Sequence, residues 1–157
     1  MRILGIDPGY GIVGWAVVEK CEHLIDYGVI TTESGLTIED RLFKIHARLT
    51  EIIALHKPEY AAIEKLFFVK NITTGIDVAK AIGAVILTLK LNNISYCEYS
   101  PSQIKQAITG YGKAGKEQMK FMIKSIFNLS EIPTPDDAAD AVAIALCHSL
   151  RKNLAAK

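Results

Sequence analysis

An α/β domain built on a mixed five-stranded sheet is the fold class this sequence predicts, and three observations carry that reading. Three short β-type runs follow one another in the first third of the chain with no helical stretch between them. Two further runs, Glu59 to Ile63 and Ile94 to Tyr99, each come after a helical stretch, which is the order of a right-handed crossover to a parallel strand. Half of the 157 residues are apolar, enough for one domain with a substantial core and too short a chain for two. A single domain is therefore expected over residues 1–152, with 153–157 fraying.

The elements follow in order. Arg2 to Ile6 is an apolar run that stops at Asp7-Pro8-Gly9, a turn signal in which proline sets φ and glycine permits reversal. Gly14 to Lys20 and His23 to Thr32 complete an antiparallel meander, the latter with Ile25, Tyr27, Val29 and Thr31 at period two. Thr37 opens a helix with Leu42, Ile45, Leu49, Ile52, Ile53 and Leu55 at helical spacing, ended by Lys57-Pro58. The strand from Glu59 to Ile63 ends at Glu64. Thr73-Thr74 is expected to cap a helix whose Ile76, Ala79, Ile82, Gly83, Ile86 and Leu89 lie on the sheet.

After the strand to Tyr99, Ser100-Pro101-Ser102-Gln103 has the pattern of a capping box and opens a short helix to Ile108. Thr109 to Gly115 holds three glycines in seven residues and reads as a flexible loop. The next helix sets Met119, Met122, Ile123 and Ile126 on one face and Lys116, Lys120 and Lys124 on another. Thr134 as cap and Pro135 at the first helical position begin the last helix, which bears Asp137 and Asp140 in its first two turns and runs to Arg151-Lys152.

Several classes are set aside by composition. The most apolar segment, Ala79 to Leu91, carries Lys80 and Lys90 and suits a buried helix better than a membrane span. Met1 to Gly5 is too short for a secretory signal, so the cytoplasm is the expected compartment. Cys21, Cys97 and Cys147 have no zinc-site spacing and read as reduced thiols, most of them core. A formal net charge of +1 hides an asymmetry: Ser100 to Ser130 holds five lysines against one acid, a patch that suits a polyanion.

The chemistry centres on four acids. Asp7 and Glu64 each finish a strand, while Asp137 and Asp140 share one face at a helix start. Functional crevices lie beyond the carboxyl ends of parallel strands, so a last helix with its N-terminus over that edge would bring all four together. Clustered carboxylates raise one another's pKa, a conflict that divalent cations relieve. Oxygen ligands without His or Cys favour Mg2+ or Mn2+ over zinc. Two such ions, roughly 3.5–4 Å apart, suit in-line displacement at phosphorus. They would add +4 to the formal net charge of +1, which favours a polyanionic substrate.

Ile3-Leu4-Gly5-Ile6-Asp7-Pro8-Gly9, Ala62-Ile63-Glu64 with Phe67 following, and Asp137-Ala138-Ala139-Asp140-Ala141 resemble the successive motifs of the RuvC-type Holliday-junction resolvases, a branch of the ribonuclease H-like superfamily. The resemblance extends from Ile3 to about His148 with matching order and spacing. It implies a ribonuclease H-like fold and a homodimer that binds a four-way DNA junction, with the RuvA-RuvB branch-migration complex as a further partner. It also implies two symmetric nicks that depend on Mg2+, for which Mn2+ substitutes. Water attacks phosphorus and the 3′-oxygen leaves, giving 5′-phosphate and 3′-hydroxyl ends.

By the same resemblance the catalytic and metal-binding acids are Asp7, Glu64, Asp137 and Asp140, the third at a position where some members have His. Phe67 resembles the aromatic that stacks on a base near the crossover, with Phe68 beside it for the core or dimer contact. Lys105 and Lys116 resemble backbone-contacting lysines, and Lys70, Lys113 and Lys120 join them by charge. His148 reads as structural and Asp136 as a partner of the helix dipole. Three alternatives differ in class: a YqgF-like pre-ribosomal RNA nuclease, a phosphotransferase of the actin and sugar-kinase type, and a non-catalytic junction-binding module. The phosphotransferase needs a second domain, which 157 residues do not supply.

Overall fold

Period-two alternation along the strands decides which helices each face meets. The computed structural model describes residues 1–65 and 72–155. Strands β1 (Arg2–Asp7), β2 (Ile12–Glu19) and β3 (His23–Thr31) form the meander, and helix α1 (Ile38–His56) leads to β4 (Tyr60–Glu64). Helix α2 (Ile72–Leu91), β5 (Ser95–Tyr99), α3 (Pro101–Thr109), α4 (Lys116–Ile126) and α5 (Asp136–Ala155) complete the order. The sheet runs β3-β2-β1-β4-β5, antiparallel across the meander and parallel across β1, β4 and β5. The expected five-stranded mixed sheet is thus present.

Ile3, Ala16, Val18, Ala62 and Tyr99 point to one side and pack with residues of α3, α4 and α5. Leu4, Ile6, Val13, Val17, Ala61 and Ile63 point to the other, against Ile45, Leu49, Val85 and Leu89 of α1 and α2. Each fully buried Ile or Leu in these layers contributes about 1.5–3 kcal/mol of transfer free energy. The helices cover the central strands and leave the edge strands largely open, so Ile25, Tyr27 and Tyr96 are exposed. Period two located β3 correctly, but it could not foretell that an edge position leaves its apolar face in water.

Helix starts separate local from tertiary causes. Thr37 caps α1 by accepting from the Asp40 amide at 3.3 Å, and Lys57 ends it in the left-handed region at φ 50°. Leu55 falls off the face that buries Ile52, Ile53 and His56. Ser100 and Gln103 close the expected capping box, with bonds of 3.2 and 2.9 Å. Gly110, at φ 75°, terminates α3, and Gln118 accepts from the Gly115 amide at 3.0 Å to open α4.

Three expectations need correction. Helix α2 starts at Ile72, which puts Thr73 and Thr74 inside its first turn instead of at its cap. Because α2 is apolar nearly all round, its periodicity did not single out a face: Ala81, Ile82, Val85 and Leu89 are buried, while Ile76, Ala79 and Gly83 are exposed. Helix α5 starts at Asp136, so Pro135 precedes it, joined to Thr134 by a cis peptide. The Pro135 carbonyl, not the Thr134 hydroxyl, closes the first turn by accepting from the amides of Ala138 at 3.0 Å and Ala139 at 3.2 Å. The α5 backbone stays helical to Ala155, past the point where fraying was expected. Of the three cysteines only Cys147 is core; Cys21 is half-buried, with its thiol donating to the Ser149 hydroxyl at 2.9 Å, and Cys97 is exposed on the edge strand β5.

Candidate active site

Register places the first two acids. Ile6 pairs with Ile63 across the parallel β1–β4 ladder, so the residues that follow, Asp7 and Glu64, end their strands side by side at the carboxyl edge of the sheet. Ile6 and Ile63 face α1 and α2, and alternation therefore turns Asp7 and Glu64 to the α5 face. Two glycines let α5 come close enough to meet them. A Cβ on Gly5 would overlap the backbone of Ala141 and Ala145, and one on Gly14 would overlap the Asp137 carbonyl. Gly14 is the direct partner of Asp7 across the antiparallel β1–β2 ladder. The contact that seats the α5 start thus sits beside the first carboxylate, and Asp137 and Asp140 follow from it.

The electrostatics report the convergence. Burial pushes the Asp7 carboxyl up to about 7, and Glu64, Asp140 and Asp137 push in the same direction, with Lys116 opposing. Glu64 is raised by desolvation and by Asp140, and Lys105 pulls it down. Asp140 is raised by partial desolvation, against the pull of Lys116. Glu64, Asp140 and Asp137 thus all bear on the Asp7 carboxyl at the sheet edge. None of these effects involves His148, whose Nδ1 lies 2.8 Å from the Tyr99 hydroxyl. Its Nε2 is buried without a partner, and desolvation lowers its pKa, so it sits in the core as a neutral ring.

A cleft of about 280 Å³ opens at this edge, lined by Glu64, Asp140, Lys105 and Lys116 with walls that include Ile104 and Met119. The two lysines singled out by resemblance thus share a cavity with two of the acids. Lys113 is exposed in the turn before α4, outside the cleft lining. Lys120 bonds to Asp136 instead of standing alone: the Asp136 carboxylate takes Lys116 Nζ at 2.7 Å on one oxygen and Lys120 Nζ at 3.2 Å on the other. Sequence reading missed this bridge, since it joins residues 16 and 20 positions apart on different helices. Phe67, Phe68 and Lys70 lie outside the described residues.

The donor set fits a hard divalent cation. Carboxylate oxygens are present in a partly buried group that bears repulsively on Asp7, a conflict a dication would relieve. Among the described residues no three acidic, His or Cys side chains close around a single point. Magnesium tolerates that arrangement, because it binds through one or two carboxylates and completes its shell with water and substrate phosphate.

The family model for crossover junction endodeoxyribonuclease RuvC matches residues 3–148. A protein of that name from Caldicellulosiruptor saccharolyticus is 49% identical over 154 residues, covering 96% of this chain and 93% of its own length. Its counterpart from Petrotoga mobilis is 50% identical over 151 residues, covering 94% and 93%. The structure of Thermus thermophilus RuvC in complex with a Holliday junction substrate superposes with a TM-score of 0.94 at 34% identity, over 99% of this chain and 96% of that one. The yeast mitochondrial Holliday junction resolvase Ydc2, at 15% identity and a TM-score of 0.61 over 96% of this chain and 82% of its own, shares the fold.

Proposed function

The chain belongs to the RuvC family of crossover junction endodeoxyribonucleases, and from that premise we propose how its own residues do the cutting. It is a nuclease that resolves Holliday junctions, and its ribonuclease H-like sheet is the scaffold. Identity across nearly the whole chain does not favour the pre-ribosomal RNA nuclease, and presence of all four acids argues against a module that only binds. Residues 1–152 act as one nuclease domain.

Asp7, Glu64, Asp137 and Asp140 hold two divalent cations, Mg2+ or in its place Mn2+. Such ions, when bound, activate water and stabilise the oxygen that leaves phosphorus. Asp7 and Glu64, side by side at the ends of paired strands, would hold the ions from the sheet, and Asp137 and Asp140 would hold them from α5. Lys105 and Lys116 grip the phosphate backbone inside the cleft, and Lys113 and Lys120 extend the grip along the strand. Phe67 and Lys70, named by the sequence alone, add a stacked base and a further backbone contact; a stacked base contributes about 1–3 kcal/mol. The observation that carries this reading is the side-by-side exit of Asp7 and Glu64 under the first turns of α5.

Two symmetric nicks need two sites, so we take the working form as a homodimer in the cytoplasm, served by the RuvA-RuvB branch-migration complex. Helix α2 supplies a surface for the pairing. Ile76, Leu87 and Leu91 are 52%, 58% and 63% exposed, and with Gly83 they fall on one helical stripe. A glycine costs about 1 kcal/mol relative to alanine in a helix interior. Gly83 has open space over its Cα, room for a second backbone to approach. Leu87→Asp is expected to shift the protein from dimer to monomer in sedimentation; unchanged sedimentation would move the dimer to another face.

The decisive experiment incubates the protein with a labelled four-way junction and with matched linear duplex, in magnesium or in chelator. Paired nicks in the junction alone, abolished by chelator, are expected. Equal cutting of both substrates, or cutting that survives the chelator, would refute the reading.

A further inference from the structure

Asp136 has no place among the metal-binding acids, yet it makes the densest ionic contact near the cleft. Each of its carboxylate oxygens takes one ammonium, Lys116 at 2.7 Å and Lys120 at 3.2 Å. The two lysines stand one turn apart on α4 and converge on this one group. Lys116 is the first residue of α4, where the helix dipole disfavours a cation. A position that is poor for helix stability, on the lining of a cleft that holds Glu64 and Asp140, speaks for a role toward a ligand. Two oxygens of one anionic group, each bonded to a separate ammonium, is also the arrangement a backbone phosphate would offer to the same pair. The Asp136 and Lys116 side chains are both more than half exposed and the Lys120 side chain is 24% exposed, so the Lys116 pair is the weaker and exchanges readily, while the Lys120 pair is partly shielded.

We propose that Asp136 is a built-in competitor of the DNA backbone: its carboxylate occupies Lys116 and Lys120 in the free protein, and a phosphate displaces it when DNA enters. The inference rests on Lys116 and Lys120 contacting DNA. Asp136 thereby weakens every encounter that engages only these lysines, and DNA that also engages the carboxylate cleft is retained. Asp136 is a positioning residue, since it acts through the lysines and touches no reacting atom.

The test is a double-mutant cycle on binding of a synthetic four-way junction and a linear duplex, in chelator so that nothing is cut. Asp136→Asn is expected to tighten binding of both by roughly fivefold in the wild-type background, the scale of two surface ion pairs that are wholly or partly solvated. It is expected to change nothing when Lys116 and Lys120 are both alanine. The wild-type salt dependence should also be shallower than that of Asp136→Asn, because salt loosens the internal pairs that DNA must break. An equal gain in both backgrounds would mean plain removal of a negative charge, and would overturn the proposal while leaving the lysine contacts standing. No gain in the wild-type background would overturn it as well. If the double alanine variant binds as tightly as wild type, the lysine contacts themselves fall, and the competitor with them.

Discussion

Replacing Asp7 by Asn is expected to abolish junction cleavage while making the metal-free protein more stable at pH 8. The first half follows from position: Asp7 leaves β1 beside Glu64 and opposite the seat of Asp137, at the centre of the four carboxylates. If Asp7 is a metal ligand as proposed, its loss removes several kcal/mol of charge stabilisation and lowers the rate by roughly a thousandfold or more. The second half follows from the Asp7 carboxyl, which is raised from 3.8 to about 7 by burial and by Glu64, Asp140 and Asp137. A folded state with the higher pKa binds the proton more tightly than the unfolded chain, so stability is full below about pH 4 and falls as pH rises to about 7. Asparagine carries no such charge and escapes the loss. The gain at pH 8 is on the order of 1–4 kcal/mol, worth about 2–4 °C of melting temperature per kcal/mol. Thermal melts in chelator at pH 8 and pH 4 test this: the variant should melt higher at pH 8 and level with wild type at pH 4. A variant that cuts at the wild-type rate would remove Asp7 from the chemistry. One that melts below wild type at both pH values would make it a structural acid instead.

The second large effect comes from a residue with no side chain. Gly14→Ala is expected to reduce cleavage by about a hundredfold, although it removes no chemical group. Its new methyl would overlap the Asp137 carbonyl, and since the overlap is with backbone, rotamer changes cannot relieve it. The α5 N-terminus must lift from β2, carrying Asp137 and Asp140 away from Asp7 and Glu64. Overpacking of this kind also costs about 1–3 kcal/mol of stability. Single-turnover rates on a four-way junction and thermal melts give both quantities. Wild-type rate with an unchanged melting temperature would mean that the close approach at Gly14 does not set the geometry of the acids. Gly5→Ala offers an internal comparison, because its overlaps lie about one and two turns further along α5, with Ala141 and Ala145.

Much of the molecule was legible locally. The Thr37 cap and the Ser100–Gln103 box depend on neighbours within four residues, and the period-two runs of the five strands on little more, and each formed where the pattern indicated. That Asp7 and Glu64 share one edge was legible as well, because each terminates an apolar run of a strand expected to be parallel; the approach of Asp137 and Asp140 needed the further assumption that the last helix packs over that edge. What was not legible involved choices among equivalent local options. Helix α2 is apolar nearly all round, so only the packed sheet decides that Ala81, Val85 and Leu89 are inside and Leu87 and Leu91 outside. The Cys97 thiol lies in a strand whose edge position, not its sequence, exposes it.

The sequence by itself determined which elements form and that a meander is joined by parallel strands, since these rest on periodicity and on connection order, and it singled out four acids by their residue chemistry and by resemblance. The tertiary structure alone decided how the carboxylates meet. Strand register sets Asp7 beside Glu64, and the missing side chains of Gly5 and Gly14 admit α5. The pairing of Asp136 with Lys116 and Lys120 is of the same kind. Each is a contact between segments distant in the chain, and no local preference encodes a distance until the sheet and its helices have packed.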